Sequence, residues 1–107
     1  MRSSKVLYKN EEAGIITQND DGTFVFIYHS YWLNDTEKPP ISLTLPKSTE
    51  IYASQFLFPF FYNMLPEGTN KQMACHYYKV DSDDYFGLLL NTAKVDSIGA
   101  VRLLKID

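Results

Sequence analysis

The sequence has a single cysteine, Cys75, so no disulfide can form within the chain. Structural disulfides belong to oxidising compartments, and their absence favours a reducing one, which predicts a cytoplasmic protein. No stretch approaches the roughly 18 apolar residues of a membrane-spanning helix. The first nine residues, MRSSKVLYK, also lack the apolar core of a secretory signal. We therefore expect neither insertion into a membrane nor secretion.

Clusters of basic residues and of glycines are also missing. The ten Lys and Arg residues are scattered among 13 Asp and Glu residues, which gives a formal net charge of −3. Because nucleic-acid binding needs concentrated positive charge, direct contact with nucleic acid is not expected. The five glycines are isolated from one another, whereas a phosphate-binding loop needs several of them close together before a helix. We accordingly predict no nucleotide cofactor.

Candidate catalytic and metal-binding residues are few. His76 follows Cys75, and His29 is the only other histidine. Adjacent residues of a helix point about 100° apart, so a shared zinc ion, which needs three or four ligands, is not expected. A catalytic set that assembles only in the fold stays open. We predict no catalytic residue, no metal and no cofactor, interpret Cys75 as a small core residue, and expect a binding module rather than an enzyme.

Aromatic residues are abundant, with eight Tyr and seven Phe among 107 residues. Disordered chains are poor in these residue types, so the composition predicts a folded protein. The length corresponds to one domain, which we place over residues 1–107.

The first half of the sequence indicates antiparallel strands. Residues 5–8 and 13–17 are rich in β-branched residues and flank a polar turn, which predicts a hairpin. Asp21-Gly22 is typical of a tight turn and leads into a predicted strand over residues 23–29. Both faces of this strand are apolar, so both are expected to be covered. Residues 30–40 are predicted to form a loop, and the alternating residues 41–45 a fourth strand. Residues 99–106 are predicted to form a closing strand.

The second half indicates short helices. Residues 56–65 are dense in aromatics and contain Pro59, which a helix tolerates in its first turn, so a short buried helix should begin there. Thr69 and Asn70 are expected to cap a helix over residues 71–78, and the segment Asp81-Ser82-Asp83-Asp84 to cap another that ends near Leu90. The order of elements predicts an α+β fold: a mainly antiparallel sheet of about five strands with about three short helices packed on one side.

Two segments combine apolar and polar residue types that are enriched in protein interfaces. The first, called the 65–70 turn below, is stiffened by proline and should lose little entropy on binding a partner. The second is the loop after the third strand. The alternatives are that the turn only joins two helices and that the loop only covers the core. The candidate partner-binding residues are Leu65, Pro66, Glu67, Gly68, Thr69 and Asn70 of the turn, with Tyr31 and Trp32 of the loop as the weaker candidates.

Several motifs, taken together and in order, resemble the N-terminal subdomain of HipA-type serine/threonine kinases, which are toxins of bacterial toxin–antitoxin systems. The most specific pair is PISLTLP at residues 40–46 and PFFYNMLPEG at residues 59–68. The others are DGTFVFIY at residues 21–28, DYFGLL at residues 84–89 and SIGAV at residues 97–101.

This resemblance implies a function that the residues alone do not. The ATP loop, catalytic aspartate and metal-binding residues of the kinase family have no counterpart positions in this sequence. A free-standing subdomain of this kind is similar to HipS, the small antitoxin of three-component HipBST systems. The resemblance thus implies an antitoxin that binds and neutralises a HipA-like (HipT-like) kinase toxin, with contact to a HipB-like DNA-binding protein left open. The alternative is a non-inhibitory structural N-terminal domain, excised or split from a HipA-like kinase.

Overall fold

A five-stranded antiparallel sheet organises residues 1–93 and 100–106, which are the residues that the computed structural model describes. The strand order is β4-β3-β2-β1-β5, and every neighbouring pair is antiparallel. The predicted α+β class is confirmed, with four helices among the described residues instead of about three. The elements are β1 (Arg2–Tyr8), β2 (Glu11–Gln18), β3 (Phe24–Tyr28), α1 (Ser30–Asn34), β4 (Ile51–Ser54), α2 (Pro59–Tyr62), α3 (Gly68–Tyr78), α4 (Tyr85–Thr92) and β5 (Val101–Ile106).

Tight turns make the first three strands a meander, as the sequence predicts. Lys9 and Asn10 both adopt positive φ between β1 and β2, the geometry that two-residue hairpin loops favour. Gly22 has a φ of 88° in the next turn. Within β2, a Cβ atom on Gly14 would lie 2.3 Å from the backbone oxygen of Ile27, so β2 and β3 approach each other closely only because this residue is glycine.

The core lies between one face of the sheet and the helices. Phe24 and Phe26 of β3 point to that face, where their rings lie 5.6 Å from Phe86 of α4 and 6.0 Å from Phe61 of α2, respectively. The apolar residues of the predicted strands and helices favour a core of nine residues, and of these Phe60 alone is only half-buried. The other eight are buried: Phe24, Phe26, Phe58, Phe61, Phe86, Leu88, Leu89 and Val101.

Where β3 and β4 pair, the opposite face of the sheet is open to solvent, which corrects the expectation that both faces of β3 are covered. Ile27 and Ile51, which are paired across β3 and β4, are 41% and 54% exposed. An antiparallel sheet commonly packs one face on the core and leaves the other solvated. The prediction was wrong because the residues on both faces of β3 are apolar, although only one face packs against the core.

Residues 41–45 do not form the predicted strand. The Tyr28 hydroxyl accepts a hydrogen bond from the Ile41 N–H at 3.1 Å and donates one to the Leu45 carbonyl oxygen. A side chain thus occupies backbone groups that a strand would pair with a neighbour, and burial of Ile41 and Leu45 fixes the segment to the core. The strand that pairs with β3 on the side opposite β2 is β4, further along the chain.

Two boundaries in the predicted elements also change. Residues 30–34 form α1 rather than the start of a loop. The N-cap of α3 is Glu67, so Thr69 and Asn70 lie inside the helix and do not cap it. Asp84 caps α4 as expected, because its side chain accepts a hydrogen bond from the Gly87 N–H. The predicted beginning of the last strand at residue 99 lies outside the described residues, and β5 begins at Val101.

Candidate partner-binding surface

The 65–70 turn lies between α2 and α3, and its two halves differ in exposure. Leu65 and Pro66 are half-buried, and Leu65 packs against the core. Leu65, which the sequence suggests as an apolar anchor for a partner, is therefore only partly available for contact. The exposed part of the turn comprises Glu67, Gly68, Thr69 and Asn70. These residues present a carboxylate, a hydroxyl and an amide to solvent.

Local backbone geometry fixes how this exposed part is presented. Gly68 has a φ of 57°, a conformation that favours glycine. Glu67 is extended, and its side chain makes no capping hydrogen bond to the helix that follows. The Glu67 carboxylate therefore lies at the beginning of α3 without serving as its cap. A negative charge at a helix N-terminus is favourable, so this position tolerates the carboxylate.

A recess of about 280 Å³ adjoins the turn. Three side chains from neighbouring helices line it: Tyr62 of α2, Lys71 of α3 and Tyr85 of α4. The Lys71 Nζ lies 5.0 Å from the centre of the Tyr85 ring, and the Tyr62 and Tyr85 rings pack edge to face at 5.5 Å. The recess thus places aromatic edges and a cation next to the exposed polar turn, which suits a side chain from another protein.

The sequence did not single out these three recess residues, because they lie on three separate helices and only the fold brings them together. Lys71 follows the 65–70 turn directly, which was the one available indication. A larger recess of about 450 Å³ lies elsewhere and has a mostly apolar lining. It is lined by Tyr8, Ile41, Phe60, Asn63, Met64, Ala100 and Val101.

The second candidate segment divides into one exposed and one buried residue. Tyr31 is 53% exposed, stacks on His29 with ring centres 5.3 Å apart, and donates its hydroxyl to the Glu12 carbonyl oxygen. Burial, followed by the nearby Glu12 and Glu11 carboxylates, raises the pKa of the Tyr31 hydroxyl. Tyr31 is therefore anchored to β2. The 65–70 turn, in contrast, lies between α2 and α3.

Trp32 does not belong to an exposed surface, which corrects its place among the candidate contacts. It is 1% exposed, and its Nε1–H donates a hydrogen bond to the Pro39 carbonyl oxygen at 2.8 Å. Its ring packs edge to face against Tyr8 at 5.9 Å. For Trp32, the alternative interpretation is correct: this part of the segment covers the core.

The residues considered for catalysis or metal binding lie on different parts of the fold, with His29 after β3 and with Cys75 and His76 on α3. His29 bonds to the Glu12 carboxylate at 2.5 Å, whereas His76 is exposed on α3. Cys75, also on α3, is half-buried. The prediction that it is a core residue is therefore wrong. Within residues 1–93 and 100–106, His, Cys, Asp and Glu form no group of three or more that could hold a metal ion. In the same described part of the chain, no helix is long and apolar enough to cross a membrane.

Comparisons with known proteins agree with this fold. A "Putative kinase Y4mE" of Sinorhizobium fredii is 31% identical over 107 residues, which cover all of this chain but only 25% of the kinase. An "Uncharacterized protein" of Haemophilus influenzae is 30% identical over 103 residues, which cover 96% of this chain and 92% of that protein. A solved structure, "N-terminal domain of HipA toxin", matches with a TM-score of 0.73 and 28% identity, covering all of this chain and 94% of that one.

The match to the family model is equally extensive. The model for the HipA N-terminal domain matches residues 4–104, which include most of β1 and β5, the other three strands and the four helices of the described residues. The matched unit is the N-terminal subdomain of HipA, which is distinct from the catalytic domain of the kinase. The chain therefore belongs to the HipA N-terminal domain family.

Proposed function

We propose that this chain is the antitoxin of a tripartite toxin–antitoxin system, in which it binds and neutralises a HipA-like serine/threonine kinase toxin. It acts in the cytoplasm, by contact rather than by catalysis of its own. A HipB-like DNA-binding protein belongs to the same complex. The chain is thus a HipS-like protein in this proposal.

The distribution of the domain among relatives carries the proposal. The same domain makes up 92% of the Haemophilus protein and 25% of the Sinorhizobium kinase. In the Sinorhizobium relative the domain is covalently part of a putative kinase, whereas in the Haemophilus relative it is nearly the whole protein. A domain of the latter kind can act on a kinase only by noncovalent association. Association of this kind is what a separate inhibitor of the kinase requires.

The exposed part of the 65–70 turn is the proposed inhibitory element. Pro66 fixes the backbone φ at the beginning of the turn, so less conformational entropy is lost when the turn binds. Glu67 presents a carboxylate that can meet the basic groups with which a kinase site receives phosphate. The Lys71 and Tyr85 recess beside it can receive a side chain from the kinase in return.

A second candidate function is that of a non-inhibitory structural N-terminal domain of a HipA-like kinase. The Sinorhizobium match favours it, since the whole of this chain aligns within one quarter of a longer putative kinase. Genome context separates the two functions: a short, separate kinase reading frame beside this chain supports the antitoxin, whereas one continuous frame supports the structural domain.

Co-expression tests the proposed function. The HipA-like kinase from the same genome is expressed until it arrests growth, with and without this chain. We expect the wild-type chain to restore growth and the exposed-site variants Glu67→Arg and Thr69→Arg to restore it poorly. Glu37→Arg is the matched control, because Glu37 is also exposed but lies outside the turn.

The outcomes separate the function from the site. Failure of the wild-type chain to restore growth, despite soluble expression, contradicts the antitoxin role. Restoration by both turn variants at the level of Glu37→Arg leaves the role intact but removes the 65–70 turn as its inhibitory element.

A further inference from the structure

A recess of about 320 Å³, called the Phe56 recess below, opens beside the residues that follow β4. Among the described residues that line it, five are aromatic, two are aspartates and none is Lys, Arg or His. Binding sites for small ligands usually measure about 300–1,000 Å³, so this one lies at the small end of the range. Its size therefore suits a single side chain from another molecule.

The floor and the walls of the Phe56 recess differ in exposure. Phe24 and Phe86 are buried and pack edge to face, with ring centres 5.6 Å apart. Phe56, Tyr62 and Tyr85 are 76%, 48% and 37% exposed. Three rings that the core does not cover thus stand around two rings that it does.

The exposed walls are held in place without a ligand. The Phe56 N–H donates a hydrogen bond to the Ser54 hydroxyl at 3.1 Å, and the next residue, Leu57, is buried. The Tyr62 and Tyr85 rings pack edge to face at 5.5 Å. Because these contacts already restrict the walls, less entropy is lost when a side chain enters the recess.

The two carboxylates at this recess are unequally compensated. Asp84 Oδ1 lies 2.7 Å from Arg2 Nη2, so the charge of Asp84 is matched. Asp83 is exposed and forms no salt bridge with any residue that the structure describes. Lys71 contacts Tyr85 from the 280 Å³ recess and does not line this one. The Phe56 recess therefore retains one unmatched negative charge.

The chain already places cations of its own against two rings of this recess. The Arg2 guanidinium carbon lies 5.5 Å from the centre of the Phe86 ring, while the same group pairs with Asp84. The Lys71 Nζ lies 5.0 Å from the centre of the Tyr85 ring. Aromatic faces attract cations, and a guanidinium can also stack flat on a ring and bond a carboxylate through two N–H groups.

We propose that the Phe56 recess binds a guanidinium group, carried by an arginine side chain of a partner protein. The guanidinium lies against the exposed rings of Phe56, Tyr62 and Tyr85 and pairs with Asp83. Among the described residues, no cation lies over the faces of Phe56 or Tyr62, so both are available. This inference goes beyond the proposed function, since it concerns the free chain and requires no kinase.

Charge complementarity selects this occupant over others. An apolar side chain would shield the Asp83 carboxylate from water without giving it a partner, which is unfavourable. Lysine carries a compact, strongly hydrated charge that neither stacks flat nor makes a two-point contact with a carboxylate. The unmatched negative charge also disfavours a phosphate group, and with it a nucleic acid.

The test is a titration of the isotope-labelled full chain, followed by NMR, with four capped tripeptides. They carry arginine, citrulline, lysine or norleucine between two glycines, and citrulline keeps nearly the shape of arginine without its charge. We expect the arginine peptide to shift the amide signals of the Phe56 recess in a saturable manner. The other three peptides should bind at least about threefold more weakly.

Two substitutions with matched controls assign the binding to the recess. Phe56→Leu and Asp83→Asn should each weaken the arginine peptide at least about twofold. Tyr77→Leu removes an aromatic ring that is 78% exposed outside the recess, and Asp81→Asn removes an exposed charge two residues from Asp83. Both controls should keep the affinity of wild type. All four sites are exposed, so the melting temperatures should stay close to that of wild type.

Three results would overturn the inference. The arginine peptide does not bind, or one of the other peptides binds as tightly, which shows that the recess does not recognise a guanidinium. Alternatively, Asp81→Asn weakens binding as much as Asp83→Asn while Phe56→Leu leaves it unchanged, which assigns the effect to the overall charge of the chain. None of these results bears on the antitoxin role, which the restoration of growth tests separately.

Discussion

Arg2 and Asp84, 82 residues apart in the sequence, form a two-point ion pair that joins the first strand to the beginning of α4. Arg2 Nη1 lies 3.0 Å from Asp84 Oδ2, and Arg2 Nη2 lies 2.7 Å from Asp84 Oδ1. The same carboxylate accepts a hydrogen bond from the Gly87 N–H. One side chain therefore both caps the helix and fixes it to the sheet, which positions Tyr85 beside the 65–70 turn.

The first prediction concerns pH. The hydrogen bond from Arg2, aided by that from the Gly87 N–H, lowers the pKa of Asp84 below its ordinary value. Because the pKa of this carboxyl is lower in the folded state, its contribution to stability is complete above the unfolded value of about 3.9 and is lost as pH falls through the folded value. Between pH 6 and pH 3, the melting temperature of wild type should fall more than that of Asp84→Asn. Equal slopes for the two proteins would show that the pair adds nothing.

The second prediction is that Gly87→Ala destabilises the protein. Alanine normally stabilises a helix interior by about 1 kcal/mol relative to glycine. Here a Cβ atom would lie 2.2 Å from Asp84 Oδ2 and 3.0 Å from Arg2 Nη1, so it must displace the ion pair. Thermal melts should show a lower melting temperature for Gly87→Ala, and a smaller loss when the substitution is made in an Asp84→Ala background. A stabilised Gly87→Ala variant contradicts this account.

The third prediction concerns the Tyr28 hydroxyl. Burial raises the pKa of this group, and Tyr28→Phe would leave the Ile41 N–H and the Leu45 carbonyl without their shared partner. Leaving buried polar groups unpaired costs about 1–3 kcal/mol. We expect a melting temperature lower by several degrees, with Tyr77→Phe as a control because Tyr77 is 78% exposed. If both variants melt like wild type, Tyr28 does not hold residues 41–45 in place.

The sequence predicts most of the sheet because its turns have strong local signals. Asp21-Gly22 and the β-branched residues on either side of residues 9–10 determine the meander without help from the rest of the fold. Residues 41–45 and Ile51–Ser54 show where local signals fail. Residues 41–45 alternate like a strand, but their backbone bonds to the side chain of Tyr28. Ile51–Ser54 pair with β3 through their backbone, although their side chains give little indication of a strand.

The candidate surface was predictable only in part. Pro66 and Gly68 mark a turn between helices, which Pro66 stiffens, and the exposure of Glu67 and Thr69 follows from it. The recess beside the turn needs α2, α3 and α4 to converge, which no local pattern specifies. Trp32 was misassigned because a tryptophan beside a polar connection has the same local pattern whether it covers the core or contacts a partner.

The fourth prediction tests the core. Phe61 and Leu89 are both fully buried, and truncating such residues costs about 2–5 kcal/mol because a cavity remains. A domain of this size has about 5–15 kcal/mol of stability in total. Phe61→Ala and Leu89→Ala should each lower the denaturant midpoint strongly, whereas Leu43→Ala, at a residue that is 94% exposed, should leave it unchanged. Equal midpoints for all three would show that the core is misassigned.

Titration of kinase activity with this chain tests the central claim most directly. The HipA-like kinase from the same genome is purified, and its autophosphorylation is measured at increasing concentrations of wild-type chain, Glu67→Arg and Glu37→Arg. We predict complete inhibition near one chain per kinase for wild type and Glu37→Arg, and a concentration for half inhibition at least about tenfold higher for Glu67→Arg. Kinase activity that stays constant at saturating wild-type chain would contradict the account.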